Sequence, residues 1–250
     1  MILLKTEDQI KRIHESCLLL ARLHEELAGF VESGMSTREV DSFAYDYIIR
    51  HKGTPAFLNY MGFPATCCIS VNEEVIHGIP SERIIQDGDI VSLDIGINLN
   101  GYISDAARTL MIGEVPERTR KLVEVTEQAF FKGLERIENG KGRIHDISKG
   151  VYTHAVNNGF SVVRDYCGHG VGLEVHEEPQ IPNYVSSFSA NPRIREGMVL
   201  AIEPMINQGG EDVKVLSDGW TVVTRDGQPS SHYEHTIAVT SHGIEILTQL

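Results

Sequence analysis

The chain is poor in positive charge. Its 250 residues carry 22 Lys and Arg against 35 Asp and Glu, a formal net charge of −13. Nucleic acid and anionic membrane surfaces attract basic proteins, so neither is expected as the main ligand. No run approaches the roughly 20 apolar residues that cross a bilayer. The N-terminus, Met1-Ile2-Leu3-Leu4-Lys5, turns charged at once and lacks the apolar stretch of a signal peptide. Four cysteines occur (Cys17, Cys67, Cys68 and Cys167), with no C-x-x-C pair and no disulfide-framework spacing. Reduced thiols and a cytoplasmic protein are expected from that usage. Several catalytic signatures are missing as well. His176-Glu177-Glu178-Pro179-Gln180 lacks the second histidine of H-E-x-x-H, and no G-x-S-x-G occurs. Gly140-Lys141 runs into Gly142 and forms no phosphate loop, and Gly168 to Leu173 falls short of a dinucleotide fingerprint.

What is present suffices for a globular domain, because 41% hydrophobic residues support a core and exclude disorder. Thr6 and Gln9 have capping-box spacing, and Ile10, Ile13, Cys17, Leu20, Ala21, Leu27 and Ala28 follow on one helical face. A second helix is predicted from Ser36 to Gly53. Strands are predicted at Thr66 to Val71 and Ile90 to Ile97, with a turn over Asn98-Leu99-Asn100-Gly101. Residues 117–137 then read as a helix, and Gly140 opens another that ends near Gly159. The intervals Gly34 to Gly53 and Gly140 to Gly159 are equal, offset by 106 residues. Gly88-Asp89-Ile90-Val91-Ser92-Leu93-Asp94 matches Gly197-Met198-Val199-Leu200-Ala201-Ile202-Glu203 at an offset of 109. Chance can produce such matches, since glycines end many helices. Two nearly equal offsets in order favour an internal duplication, with halves of approximately 1–110 and 111–250 in one domain spanning 1–250. Asp94 and Glu203 would then converge between the halves.

The acids themselves are out of place. Asp94 and Glu203 lie in apolar strands, and Glu234 lies in Tyr233-Glu234-His235-Thr236-Ile237. A four-residue loop over Asn98 to Gly101 would set Asp105 directly opposite Asp94, within about 5 Å. One such acid is ordinarily exposed or paired with Arg or Lys. Four of them call for cations, because lone buried carboxylates are costly. Two divalent ions would neutralise four carboxylates, and oxygen donors with one imidazole suit such ions. His169 fits the imidazole, since the glycines of Cys167-Gly168-His169-Gly170-Val171-Gly172 let backbone approach closely. His77 and His176 also stand beside turn formers. His232 and His235 flank Glu234, and a structural role and a chemical one both remain open for them.

Asp94, Asp105, His169, Glu203 and Glu234 stand in the order and context of the five metal ligands of the type I methionine aminopeptidases. The surrounding stretches are similar too: Cys-Ile-Ser-Val-Asn-Glu at 68–73, His-Gly-Ile-Pro at 77–80 and Asp-Gly-Asp-Ile-Val at 87–91. Further along come Tyr-Cys-Gly-His-Gly at 166–170, His-Glu-Glu-Pro at 176–179, Ile-Glu-Pro-Met at 202–205 and Tyr-Glu-His-Thr at 233–236. The resemblance covers essentially the whole chain, in the short bacterial form without an N-terminal extension. It implies an α+β pita-bread fold, two pseudo-twofold halves with helices outside a central antiparallel sheet. It also implies a hydrolase that removes the initiator methionine from nascent proteins when the second residue is small. Two divalent ions (Co, Mn, Fe, Zn or Ni) would activate the attacking water.

By the same resemblance, Glu203 is a metal ligand that also takes the water's proton. His176 donates to the developing oxyanion, and His77 contacts the substrate near the scissile amide. The substrate's free amino group binds on the Asp94 side. Tyr60, Phe63, Cys68 and Trp220 form the methionine pocket, with Phe57 and Val175 nearby. Three positions depart from the bacterial pattern there: a small residue is usual at 57, tyrosine at 63 and phenylalanine at 175. Gly96 stands where threonine is usual. The family also implies a cytoplasmic monomer that meets the ribosome transiently, although no basic stripe for ribosomal RNA is evident. Two other functions fit the fold: an Xaa-Pro aminopeptidase or prolidase-like enzyme with the same ligands, and a metal-free binding protein.

Overall fold

Thr6 closes the expected capping box. The Gln9 amide donates to Thr6 Oγ1 (3.3 Å), and the Thr6 amide donates to Gln9 Oε1 (2.9 Å). Helix α1 (Glu7–Phe30) follows, then α2 (Thr37–Arg50), which is capped in the same way by Ser36 and Glu39. A computed structural model describes residues 1–137 and 140–250. The first half continues with strands β1 (Thr54–Pro55), β2 (Cys67–Val71), β3 (Glu74–Ile76), β4 (Ile90–Leu99) and β5 (Tyr102–Met111). The second half opens with α3 (Glu117–Leu134) and α4 (Ile144–Asn157). These helices are shorter than the spacing implies. Gly140 and Gly142 adopt φ of +65° and +121°, so α4 cannot begin before the chain leaves them. Then come β6 (Ser161–Val162), β7 (Cys167–Gly170), β8 (Glu177–Pro182), β9 (Val199–Ile202) and β10 (Met205–Asn207). The described strands end with β11 (Val213–Val215), β12 (Val222–Thr224), β13 (Ser230–His232), β14 (His235–Thr240) and β15 (Gly243–Ile246).

The two halves share a layout. In the first, β4 lies between β2 and β5; in the second, β9 lies between β7 and β14. Every one of these pairings is antiparallel. The central strands β4 and β9 hold the matched Gly-x-apolar segments found in the sequence. Each sheet is backed by its own helix pair. Leu20, Leu23 and Leu27 of α1 and Val40, Ala44 and Ile48 of α2 pack with Ile69, Leu93 and Ile95. Leu122, Ala129 and Phe130 of α3 and Ile147 and Val151 of α4 pack with Leu200, Ile202 and Ile237. This is the helix-backed antiparallel arrangement that the resemblance implies.

The β4–β5 hairpin corrects one expectation. Its loop is the two residues Asn100-Gly101, both with positive φ (55° and 87°). That pair suits the type I′ turn, whose twist matches the flanking strands. Asp94 is therefore paired with Ala107, and Asp105 with Gly96. The two aspartates stand diagonally on one face and do not oppose each other directly, which eases their repulsion.

The halves meet where β5 runs beside β14. Ala107 and Glu234 exchange backbone hydrogen bonds (Glu234 N to Ala107 O, 2.9 Å; Ala107 N to Glu234 O, 3.4 Å). On one side of that pair the Thr236 hydroxyl donates to Asp105 O (2.7 Å) and accepts from Asp105 N (3.2 Å). On the other side the Thr109 hydroxyl donates to His232 O (2.8 Å) and accepts from His232 N (3.1 Å). The seam thus has its own twofold pattern, with Ala107 matched to Glu234, Thr109 to Thr236, and Asp105 to His232.

Candidate active site

At this seam the acids converge. One cavity of about 280 Å³ is lined by Asp94, Asp105, His169, Glu203 and Glu234. Ligand atoms of Asp105, His169 and Glu234 lie within 4.8 Å of one another. His169 Nε2 lies 3.4 Å from Glu203 Oε1 and 3.8 Å from Asp105 Oδ2. The sequence-selected acids thus come together with the imidazole. They come from four places: β4, β5, the end of β9, and the link between β13 and β14. Glycines make room for His169, because a Cβ on Gly168 would lie 2.4 Å from Ala201 O and one on Gly170 2.4 Å from Glu178 O.

The electrostatics suit a cation. Asp105 and Glu234 are buried, Asp94 is half-buried, and the Glu203 side chain is 11% exposed. Burial raises the Asp94 pKa to about 7, helped by Glu203 and opposed by His232. Burial first, and then the neighbouring carboxylates, push Asp105 and Glu234 well above the usual range; burial does the same to Glu203. Asp94 Oδ1, Asp105 Oδ1 and Glu234 Oε1 have no hydrogen-bond partner among the described residues. Burial lowers His169 to about 3, which keeps it neutral. Its Nδ1 lies 2.9 Å from Gly170 O, an acceptor, so the ring proton belongs on Nδ1 and the Nε2 lone pair faces the acids. Unpartnered hard oxygens around a neutral imidazole fit one or more divalent cations.

The same cavity brings in the other selected side chains: His77, His176, Tyr60, Phe63, Cys68, Trp220 and Phe57. Val175 does not line it; it packs behind, buried with Phe57, Phe63 and Cys68. His77 adopts φ of +57°, and a Cβ on the following Gly78 would lie 2.2 Å from Ile69 O. This tight turn projects the imidazole against Tyr166 and Trp220, with ring centroids 5.6 and 6.2 Å away. Burial lowers the His77 pKa to about 4, and it lowers His176 as well. His176 is exposed at the rim, with Nδ1 3.0 Å from the Tyr60 hydroxyl. The Cys68 thiol is pushed well up by burial, so it stays neutral and presents an apolar face.

Phe57 and Gly96 account for each other. A Cβ on Gly96 would lie 2.6 Å from Phe57 Cε1, so the ring occupies space that a side chain at 96 would need. A large residue at 57 and a bare glycine at 96 are one exchange of volume, split between the bend after β1 and strand β4.

Two lining or neighbouring residues escaped the sequence reading. Met61 is 81% exposed at the mouth with φ of +50°, and nothing in Asn59-Tyr60-Met61-Gly62 marks it beyond a turn. His232, whose flanking of Glu234 fits a structural or a chemical role, is buried, with Nε2 3.6 Å from Glu203 Oε2. His235, on the other side of Glu234, turns away to Arg108, Thr248 and Tyr233, which is a structural setting.

The model of metallopeptidase family M24 matches residues 11–241. The chain belongs to metallopeptidase family M24. Over 250 residues it is 47% identical to methionine aminopeptidase 1 of Bacillus subtilis (strain 168), with all of both chains covered. Its fold matches the crystal structure of methionine aminopeptidase from Rickettsia prowazekii with a TM-score of 0.94 at 37% identity, covering 99% of this chain and 100% of that one. The prolidase from Pyrococcus furiosus matches with a TM-score of 0.78 at 25% identity, and 65% of its length is covered. The M24 fold is thus the α+β pita-bread architecture.

Proposed function

We propose that this M24 member is a methionine aminopeptidase, releasing the N-terminal methionine of peptides and nascent proteins whose second residue is small. The observation that carries the reading is the contact between an apolar cleft of methionine size and a carboxylate–imidazole cluster. Phe57, Phe63, Cys68 and Trp220 supply the cleft, and the acids form its floor. The methionine aminopeptidases of Bacillus subtilis and Rickettsia prowazekii match over their whole length, whereas the prolidase matches over about two thirds of its own. That favours methionine release over Xaa-Pro cleavage.

Asp94, Asp105, His169, Glu203 and Glu234 would hold two divalent ions. Once bound, these ions would polarise the scissile carbonyl and lower the pKa of the attacking water. The protein's own groups do the rest. Glu203 keeps one carboxylate oxygen to accept the water's proton. With the Tyr60 hydroxyl, 3.0 Å from His176 Nδ1, acting as donor, the ring proton would sit on Nε2, where it could be donated to the oxyanion. His77, held by its turn, meets the substrate near the scissile amide. The Asp94 side receives the free amino group, so a formylated terminus would be refused.

The polypeptide is read as a single catalytic domain over 1–250, with its halves at approximately 1–110 and 111–250 derived from duplication; their matching sheet order supports this. It is read as a monomer of the cytoplasm that touches the ribosome transiently. No helix among the described residues is long and apolar enough to cross a membrane.

The test is a peptide panel with Glu203→Ala alongside. The metal-loaded protein is expected to cleave Met-Ala-Ser and to leave Ala-Pro peptides and N-formyl-Met-Ala-Ser intact. Glu203→Ala is expected to lose turnover by at least about 10³-fold and to weaken binding of a cation. Robust Ala-Pro cleavage without methionine release would overturn the assignment, and wild-type turnover in Glu203→Ala would overturn the site.

A further inference from the structure

His232 is buried at 2% exposure, yet neither ring nitrogen has a hydrogen-bond partner among the described residues. An orphaned buried imidazole is costly, and its environment should explain it. Thr109 holds its backbone on both sides, as Thr236 holds that of Asp105. His232 therefore occupies the seam position that the twofold pattern matches to Asp105, behind the acids that line the cavity. Strand β13 pairs with β10, setting His232 opposite Met205, two residues after Glu203. Glu203 Oε2 lies 3.6 Å from His232 Nε2. Glu203 thus has an imidazole at each oxygen: His169 at Oε1 and His232 at Oε2.

We propose that His232 is a positioning residue for Glu203, its Nε2–H donating to Oε2 so that Oε1 is left for a cation. The inference rests on the reading of the site as an aminopeptidase centre. The separation exceeds a hydrogen bond by about half an ångström, which a small turn of either side chain closes. The two oxygens of Glu203 are then distinguished. Oε1 stands beside the neutral His169 and the other acids. Oε2 is pinned by a donor, and its second lone pair is the one that would receive the water's proton. Without that donor the carboxylate is free to rotate about its last bond, and the two oxygens exchange roles.

Two variants separate this role from the others. His232→Gln retains a side-chain N–H donor of similar reach but is a poor metal ligand; His232→Leu fills the space and donates nothing. In the metal-loaded protein, His232→Leu is expected to lower kcat on Met-Ala-Ser by about 10- to 100-fold, as loss of a partner behind a metal ligand does, while KM stays within about twofold. His232→Gln is expected to recover kcat to within about threefold of wild type. Calorimetric titration of cation into the chelator-stripped proteins is expected to give the same number bound per chain in all three. Wild-type kcat in His232→Leu, or a Gln variant no better than the Leu variant, overturns the proposal. So does one fewer cation bound by His232→Gln, which would make His232 a ligand. If the wild-type protein releases no methionine, the reading of the site falls and the positioning role with it. If the wild type is active and the variants follow neither pattern, only the positioning role falls.

Discussion

Gly96 and Phe57 lie beside Asp94 and set the shape of the cleft against the metal-binding acids. Adding a side chain at 96 forces a ring that is only 8% exposed to move within packed surroundings, and overpacking of this kind costs about 1–3 kcal/mol. Gly96→Thr is therefore expected to lower stability by that amount in chemical denaturation. Phe57→Ala, which alone opens a void, should be less harmful in the Gly96→Thr background, giving a coupling energy of about 1 kcal/mol or more in a double-mutant cycle. Purely additive effects would contradict the volume exchange. At this scale the sequence was informative about chemistry and silent about shape. Buried acids inside apolar strands are physically anomalous and can be picked out one by one, as Asp94, Asp105, Glu203 and Glu234 were. That Phe57 fills the space over Gly96 depends on a contact between segments forty residues apart, which no local pattern carries. His232 was ambiguous for the same reason: its meaning lies in a distance to Glu203.

The elements that aim these side chains owe their accuracy to a few junctions. Lys5, just before α1, forms a buried ion pair with Glu177, the residue after His176. Glu177 Oε1 also accepts from the amides of Leu173 (2.8 Å) and Glu174 (3.2 Å), so one carboxylate ties the N-terminal segment to the loop behind His176. Lys5→Met removes the cation and leaves that carboxylate buried, at an expected cost of about 3–5 kcal/mol. Because the loop carries His176, kcat on Met-Ala-Ser should fall more than 1/KM. A melting temperature and a kcat both equal to wild type would refute this link. The helices were legible from apolar spacing and caps, and the α1 box at Thr6 and Gln9 closes as expected. The β4–β5 register was not, because Asn98 and Asn100 both suit a turn and only backbone twist selects Asn100-Gly101. That two-residue difference moves Asp94 from opposite Asp105 to a diagonal position. The ligand set is unchanged; the separation of the charges is not.

Across the whole molecule, closing two sheets over one seam concentrates ionisable groups away from water, and this couples metal, protons and stability. An unfolded carboxylate ionises near pH 4, whereas in the folded protein Asp94 does so at about 7, and burial pushes Asp105, Glu203 and Glu234 well above the usual range as well. A raised carboxylate pKa favours the folded state at low pH and loses that contribution as pH rises towards the folded value. The buried histidines have the opposite sign: His169, at about 3, costs stability as pH falls below about 6.5. The two effects oppose each other below about pH 6.5; above it the carboxylates act, joined above about pH 8 by the buried thiols of Cys17, Cys67 and Cys68, which burial also pushes up. Chelator-stripped protein is therefore expected to melt at lower temperature as pH rises from about 6.5 through about 7, and bound divalent cations should abolish that decline. Cation binding at about pH 7 should also release protons, readable by calorimetry in buffers of different ionisation enthalpy. A metal-free protein stabilised by rising pH above about 6.5, or binding without proton release, would contradict the site. The central claim, a cation-dependent enzyme selective for N-terminal methionine, is tested most directly by methionine release from Met-Ala-Ser, with Ala-Pro-Ser as the control peptide. Protein stripped by chelator should release no amino acid from either peptide, and stepwise addition of a divalent cation should restore release of methionine alone. Turnover that survives complete removal of metal, or that returns for Ala-Pro-Ser and not for Met-Ala-Ser, would contradict it.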